Sequence, residues 1–147
     1  MPEARTRVAL AFDFGLKRIG IASGDTLTRT ASPRNMIPVH AAGPDWTLLD
    51  REVRAYAPDL LVVGAPYNDD GTPSRIAAAA DAFAAALAKR YGLPVERVDE
   101  RYSSTSAASL LREQRADGSR RKAVRKGDID SAAAAIILES WLTQERT

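Results

Sequence analysis

Acidic residues in three separate stretches of the sequence could together hold a divalent metal ion. Asp13 follows the first apolar run of the chain, and Asp99 and Glu100 follow a later one. Asp130 lies at the start of an alanine-rich segment near the C-terminus. Carboxylate oxygens are the ligands that hard divalent cations prefer. If the fold gathers these acids at one point, they suit metal-assisted hydrolysis of a phosphate ester.

Some acidic residues in these stretches also have a simpler structural interpretation. Asp13 stands in an Asp-x-Gly sequence and can serve only to begin a turn, and Asp128 is well placed to cap the N-terminus of the last helix. Asp130 is harder to explain in this way, because it lies on the apolar side of that helix, where an acid needs a partner. The residues on that side with it are Ala133, Ala134, Ile137 and Trp141.

The two acids at the end of the later apolar run are alternatives to one another. Side chains alternate across a strand, so Asp99 and Glu100 are expected to point to opposite faces, and only one of them can readily join Asp13. Val95 and Val98 fall on different faces, so the strand has no clean inward stripe. The residues alone leave the choice open.

Positive charge is concentrated in one segment. Residues 112–126 contain seven basic and two acidic side chains, a net charge of +5, whereas the whole chain carries only +2. The rest of the chain is therefore negative, at −3. A basic segment of this kind suits contact with a polyanion, although it could equally be a solvated connector.

Short apolar runs bounded by turn formers predict strands, and the helical spacing between them predicts helices. The third expected strand, over 30–38, is an edge or irregular one because it contains Pro33. The strands are expected over 8–12, 19–22, 30–38, 60–63 and 95–99. The helices are expected over about 45–57, 72–92, 103–115 and 129–144. Three strands followed by alternating helices and strands indicate an α/β protein with a mixed five-stranded sheet flanked by helices. The RNase H-like fold has this order.

Length and composition exclude several classes of protein. A chain of 147 residues favours one domain, 1–147, and is long enough to bury a core. The sequence has no cysteine, which excludes disulfides and thiolate chemistry and fits a cytoplasmic location. His40 is the only histidine, so clustered-histidine sites are excluded. No apolar stretch approaches the roughly 18 residues of a membrane span, and no membrane partner is expected.

Four ordered motifs make the chain similar to the YqgF (RuvX) family of Holliday-junction resolvases and pre-16S rRNA nucleases. The family's opening hairpin resembles residues 9–24 (ALAFDFGLKRIGIASG), and its central strand and loop resemble residues 61–72 (LVVGAPYNDDGT). Its Asp-Glu-Arg strand end resembles residues 98–104 (VDERYSS), and its closing helix resembles residues 127–142 (GDIDSAAAAIILESWL). The resemblance spans nearly the whole chain.

The resemblance implies an RNase H-like nuclease whose catalytic, metal-binding acids correspond to Asp13, Glu100 and Asp130. It therefore favours Glu100 over Asp99. The implied cofactor is Mg²⁺ or Mn²⁺, with two ions roughly 4 Å apart that activate a water and stabilise the leaving oxygen.

The nucleic-acid substrate is expected to contact basic, hydroxyl and amide side chains around these acids. Three basic residues near the acids suit flanking phosphates, two polar residues stand near predicted helix N-termini, and three basic residues of the 112–126 segment would supply bulk affinity. These residues are Lys17, Arg18, Arg101, Asn68, Ser104, Arg120, Arg121 and Lys122. No residue is a convincing reader of a base edge, so recognition of shape or of a strand junction is expected.

Two other functions fit parts of the sequence. A sugar-kinase or actin-like nucleotide binder also uses an Asp-x-Gly hairpin, but it needs a second similar domain, for which 147 residues leave no room. A non-catalytic RNA-binding or ribosome-assembly factor could keep the fold and retain the acids as structural groups. The choice between rRNA precursor and branched DNA stays open, and with it the assembly: a resolvase is expected to act as a homodimer, whereas RNA trimming needs one site.

Overall fold

The structure is a computed structural model, and it describes residues 6–65, 76–99 and 126–144. Within these ranges the strands are β1 (Val8–Phe14), β2 (Arg18–Asp25), β3 (Ala31–Pro33), β4 (Ile37–His40), β5 (Gly43–Pro44), β6 (Leu60–Ala65) and β7 (Val95–Asp99). The helices are α1 (Trp46–Tyr56), α2 (Ala77–Tyr91) and α3 (Lys126–Gln144).

The strands form one mixed sheet in the order β5-β4-β2-β1-β6-β7, and β3 also pairs with β2. β1 is antiparallel to β2 and parallel to β6, and β6 is parallel to β7. The mixed α/β sheet that the sequence predicts is thus confirmed. Because β1 has a neighbour on each side, its backbone is fixed by hydrogen-bonded ladders along both edges.

The described sheet has seven strands rather than five because the predicted third strand is divided in two and the short β5 is added. β3 ends at Pro33 and β4 begins at Ile37, while the backbone N–H of Arg34 between them donates to the carbonyl of Ile21 at 2.7 Å. Proline has no N–H for a ladder, so a continuous strand through Pro33 is unfavourable. The two-residue β5 then pairs with β4. All five expected strands are present in this sheet.

Both faces of the sheet are buried, each by a different set of helices. One face packs with α1 and α2, and its core includes Phe12, Phe83 and Leu49. The other face packs with α3, and its core includes Val62 and Leu138. The described helices include none that is long and apolar enough to cross a membrane.

Local signals set most of the helix ends. The Asp45 side chain accepts from the Leu48 N–H at 3.1 Å, as expected of the N-cap of α1. α2 ends at Gly92, whose φ of 64° is left-handed. α3 begins at Lys126 rather than near 129, so Asp128 lies in the first turn instead of at the cap, a position that the helix dipole also favours for an acid. The expected start of α2 at 72 and the expected helix over 103–115 lie outside the described residues.

Candidate active site

Asp13 lies near the end of β1, in the middle of the sheet. Its Cα is paired with that of Gly20 in β2, and the preceding Phe12 is paired with Val63 in β6, next to Gly64. Gly20 contributes no side chain at the position paired with Asp13. The Asp13 carboxylate is carried by a central strand and is half-buried.

Asp13 belongs to the sheet face that α3 covers. Ala9 and Ala11 of β1 pack in the α3 core, whereas Phe12 and Phe14 pack in the core beneath α1 and α2. Because side chains alternate along a strand, Asp13 falls on the same face as Ala9 and Ala11.

β7 ends at the same end of the sheet as the part of β1 that carries Asp13. Val98 is paired with Gly64 in β6, the residue after the partner of Phe12. Val98 packs in the α3 core, whereas Val95 packs against the opposite one. Each valine packs in a core because helices cover both faces of the sheet. For this reason the sequence shows no single apolar stripe in this strand.

α3 is held over β1 and β2 by contacts of its C-terminal half. The Arg7 guanidinium lies 5.3 Å from the centre of the Trp141 ring, and Arg29 Nη1 donates to the Leu142 carbonyl at 3.0 Å. Arg7 immediately precedes β1, so the C-terminal half of α3 lies over the beginning of that strand. The middle of the helix packs in the core of this face through Ala134, Ala135 and Leu138.

The β1–β2 hairpin carries Lys17 and Arg18 close to Asp13. A Cβ atom at Gly15 would lie 2.7 Å from the Arg18 carbonyl oxygen, so this turn requires glycine. The Lys17 carbonyl accepts from the Val39 N–H at 2.9 Å, which ties the hairpin to β4. Lys17 is exposed and Arg18 is half-buried. Both basic residues thus stand on a fixed backbone within five residues of Asp13.

Seven of the other predicted site residues lie outside the described residues: Asn68, Glu100, Arg101, Ser104, Arg120, Arg121 and Lys122. Asp130 lies near the start of α3, where the structure describes the backbone. Of the predicted site, the structure therefore brings together Asp13, Lys17 and Arg18. No group of three acids or histidines that could hold a metal occurs within the described part of the chain. A metal site at Asp13 would therefore need further ligands from side chains outside this part of the chain.

A strong charge cluster lies away from Asp13, between α1 and α2. Arg90 Nε and Nη2 donate to the Asp50 carboxylate at 2.9 and 2.8 Å, and the Tyr91 hydroxyl donates to it at 2.7 Å. The Arg90 hydrogen bonds, followed by that of Tyr91, lower the pKa of Asp50 to about 2. Burial, together with the Asp50 carboxylate, raises the pKa of Tyr91. These groups join two helices of the framework and are not placed to act on a substrate at Asp13.

One buried acid was not singled out from the sequence. Glu52 of α1 is only 9% exposed. It lies on the inward side of the helix, three residues after Leu49 and four before Tyr56. A charged residue at the helical spacing of an apolar stripe was the signal that could have identified it.

Comparisons with known proteins place the chain in a family. The RuvX family, described as "Holliday junction resolvase", matches residues 7–144. A relative from Nitrosococcus oceani named "Putative pre-16S rRNA nuclease" is 40% identical over 144 residues, covering 98% of this chain and 91% of the relative. A relative of the same name from Salmonella arizonae is 46% identical over 135 residues, covering 92% and 95%.

The fold has a counterpart among solved structures. RuvC of T. thermophilus, solved in complex with a Holliday junction substrate, aligns with a TM-score of 0.53 over 94% of both chains at 15% identity. At that identity the likeness is one of fold, and it confirms the RNase H-like architecture. With a family match along nearly its whole length and relatives at 40 and 46% identity, the chain belongs to the RuvX family of RNase H-like nucleases.

Proposed function

We propose that the protein is a metal-dependent nuclease that hydrolyses phosphodiester bonds of structured nucleic acid, with Asp13 as the central metal ligand. The position of Asp13 carries this proposal: a half-buried carboxylate at the end of the middle strand, beside Gly20, on the face that α3 covers. A ligand on a central strand is positioned more rigidly than one on a loop.

The register of β7 supports Glu100 as a second ligand. Val98 lies on the same sheet face as Asp13. Alternation along the strand returns to that face two residues later, and the residue at that place in the sequence is Glu100. The family resemblance and the strand register thus favour the same acid.

The placement of α3 supports Asp130 as a third ligand. Trp141 lies near Arg7, and Asp130 precedes Trp141 by eleven residues, about 16 Å along a helix at 1.5 Å per residue. Asp13 follows Arg7 by six residues, about 20 Å along a strand at about 3.3 Å per residue. A helix running along β1 from the Arg7–Trp141 contact would therefore bring the backbone of Asp130 near the level of Asp13.

Three carboxylates without sulfur or imidazole ligands fit a hard cation, Mg²⁺ or Mn²⁺. Such ions supply Lewis acidity and an activated water for phosphodiester hydrolysis. Asp13, Glu100 and Asp130 would hold the metal. Lys17, Arg18 and Arg101 bind the phosphates on either side of the scissile bond, and Asn68, Ser104, Arg120, Arg121 and Lys122 hold the remainder of the strand by charge and hydrogen bonding.

The substrate that the comparisons favour is the precursor of 16S rRNA, processed in the cytoplasm. The relatives at 40 and 46% identity carry that nuclease name, whereas the junction-bound RuvC is 15% identical. Branched DNA is the second candidate because the family itself is described as a Holliday junction resolvase. That activity would require a homodimer that cuts two strands.

Cleavage by the purified protein tests this function. Precursor rRNA and a four-way DNA junction are incubated in parallel with Mg²⁺, with Mn²⁺ or with EDTA, using the wild type and Asp13→Asn. Asp25→Asn is the matched control, since Asp25 is paired with Val8 at the opposite end of the same two strands. We expect metal-dependent cleavage that only Asp13→Asn abolishes. Equal cleavage by Asp13→Asn and the wild type would refute the assignment.

A further inference from the structure

A cavity of about 430 Å³ lies between α1 and the start of β4. Its walls combine apolar groups with two opposite charges and one amide: Met36, Ile37, Leu48, Arg51, Glu52 and Asn35. The cavity volume falls within the range of small-molecule sites. It lies on the α1 side of the sheet, across from the face of Asp13.

Glu52 in this cavity is a buried acid with an unsatisfied oxygen. The residue is 9% exposed, and its Oε1 atom has no hydrogen-bond partner among the described residues. Leaving a carboxylate oxygen desolvated and unpaired is costly, so such groups in native proteins call for an explanation. Rotation about the last torsion of glutamate is soft, so Oε1 turns toward the cavity at little cost. Glu52 is therefore poised to accept hydrogen bonds from a ligand.

The lining chemistry matches a nucleotide with hydrogen-bond donors on its base. A carboxylate only accepts, through two oxygens side by side. The Watson–Crick edge of guanine offers two adjacent N–H donors, whereas adenine and cytosine place a ring acceptor beside their amino group. The apolar walls of Met36, Ile37 and Leu48 suit the flat base, and Arg51 suits a phosphate. A simple cation fits less well, because Arg51 would repel it.

The cavity is also close to the candidate active site. Ile37, one of its walls, is paired with Ile19 in β2, next to Arg18. β4 is separated from β1 by β2 alone, about 10 Å measured within the sheet, but the cavity lies on the opposite face from Asp13. A nucleic-acid strand bound at Asp13 would therefore reach the cavity by passing around the end of the sheet that carries both Asp13 and the β1–β2 turn.

We propose that the cavity between α1 and β4 binds an unpaired guanine of the nucleic-acid substrate, with Glu52 accepting from its Watson–Crick edge and Arg51 facing a phosphate. This inference rests on the proposed nuclease function and adds base selectivity to it. Single-stranded bases are read in this manner, through their Watson–Crick edges.

Binding of RNA duplexes with one bulged nucleotide tests the proposal. The probes carry a bulged G, A, C or U, and affinities are measured with the full chain in EDTA so that no cleavage occurs. We expect the bulged-G duplex to bind about tenfold more tightly than the bulged-U duplex, the scale of a good bidentate contact. In Glu52→Gln this preference is lost, while the salt dependence of binding is unchanged because no phosphate contact is removed.

Measurements on three variants separate a binding residue from a structural one. Glu52→Gln replaces a buried side chain whose Oε1 has no partner among the described residues, so its thermal stability should equal or exceed that of the wild type. Glu52→Asp keeps the charge but withdraws it by one methylene, and it should also lose the guanine preference. Arg51→Gln should weaken all four duplexes alike. Equal affinity of the wild type for G and U bulges, or a preference that survives in Glu52→Gln, overturns the proposal.

GMP, AMP, CMP and UMP as free ligands distinguish a substrate base from a free nucleotide. If GMP binds in a Glu52-dependent way but the bulged duplexes show no preference, the site does not serve the substrate and the proposal fails. Failure here is distinct from failure of the nuclease assignment, since these binding measurements are made in EDTA without cleavage and do not vary Asp13. Only the result with Asp13→Asn bears on that assignment.

Discussion

Asp13 in β1 and Gly20 in β2 are directly paired across the hairpin. A residue with a side chain at position 20 would place its Cβ about 5 Å from that of Asp13 on the same face. Glycine contributes no side chain at this position, close to the turn that carries Lys17 and Arg18. The pairing thus places a half-buried carboxylate on a central strand beside a residue without a side chain.

Asp13→Asn should change metal binding more than it changes folding. In the metal-free protein, Asp13 is proposed to lie in a cluster of acids, so removing one charge relieves repulsion and leaves stability nearly unchanged. Mn²⁺ should stabilise the wild type by about 2.7 kcal/mol when its concentration is 100 times the dissociation constant. Thermal unfolding with and without Mn²⁺ measures both effects. A metal-induced stabilisation of the same size in Asp13→Asn would contradict the ligand assignment.

Glu100→Gln should be far less active than Asp99→Asn. The register that puts Val98 on the Asp13 face favours Glu100 as the metal ligand, so Glu100→Gln should lower turnover by orders of magnitude with a modest effect on substrate binding. Asp99→Asn should be milder. Single-turnover kinetics and equilibrium binding give the two quantities separately. An inactive Asp99→Asn beside an active Glu100→Gln would show that this strand end is shifted by one residue.

Neutralising Arg120, Arg121 and Lys122 should weaken nucleic-acid binding about equally for all sequences. Each lost phosphate contact should reduce the slope of log affinity against log salt by about 1. Binding titrations at several salt concentrations measure this slope for the wild type and the triple glutamine variant. An unchanged slope would mean that the segment is a solvated connector.

Asp50→Asn should lower stability in a pH-dependent way. The contacts of Arg90 and Tyr91 hold the pKa of Asp50 at about 2, below the ordinary value of an aspartate. Its stabilising contribution is therefore complete above about pH 4 and lost as the pH falls toward 2. With the Asp50 side chain 31% exposed, we expect a loss of about 1 kcal/mol at pH 7.

Urea unfolding of both proteins between pH 7 and pH 2 measures the difference. Asp81→Asn is the control. Asp81 pairs with Arg97, but its side chain is 68% exposed, and exposed pairs of this kind contribute little to stability. A difference between wild type and Asp50→Asn that stays constant down to pH 2 would rule out this linkage.

The sequence by itself determined the elements whose signals are local. The apolar runs predicted β1, β2, β6 and β7, and the helix ends at Asp45 and Gly92 followed from capping chemistry. The Asp-x-Gly sequence predicted a hairpin, and a hairpin places Lys17 and Arg18 near Asp13 because the three residues are close together in the sequence. Such features depend on a few adjacent residues, so no long-range contact is needed to infer them.

Only the tertiary structure decided which residues share a face. The runs of β1 and β6 are apolar throughout because helices cover both sides of the sheet, and a continuous apolar run does not reveal which side a residue faces. The pairing of β7 with β6 was needed to set Val98 on the Asp13 face. Likewise, Glu52 is a charged residue in an amphipathic helix, and only the structure shows that it is buried and lines a cavity with residues at the start of β4. Long-range packing, not local propensity, fixes these relationships.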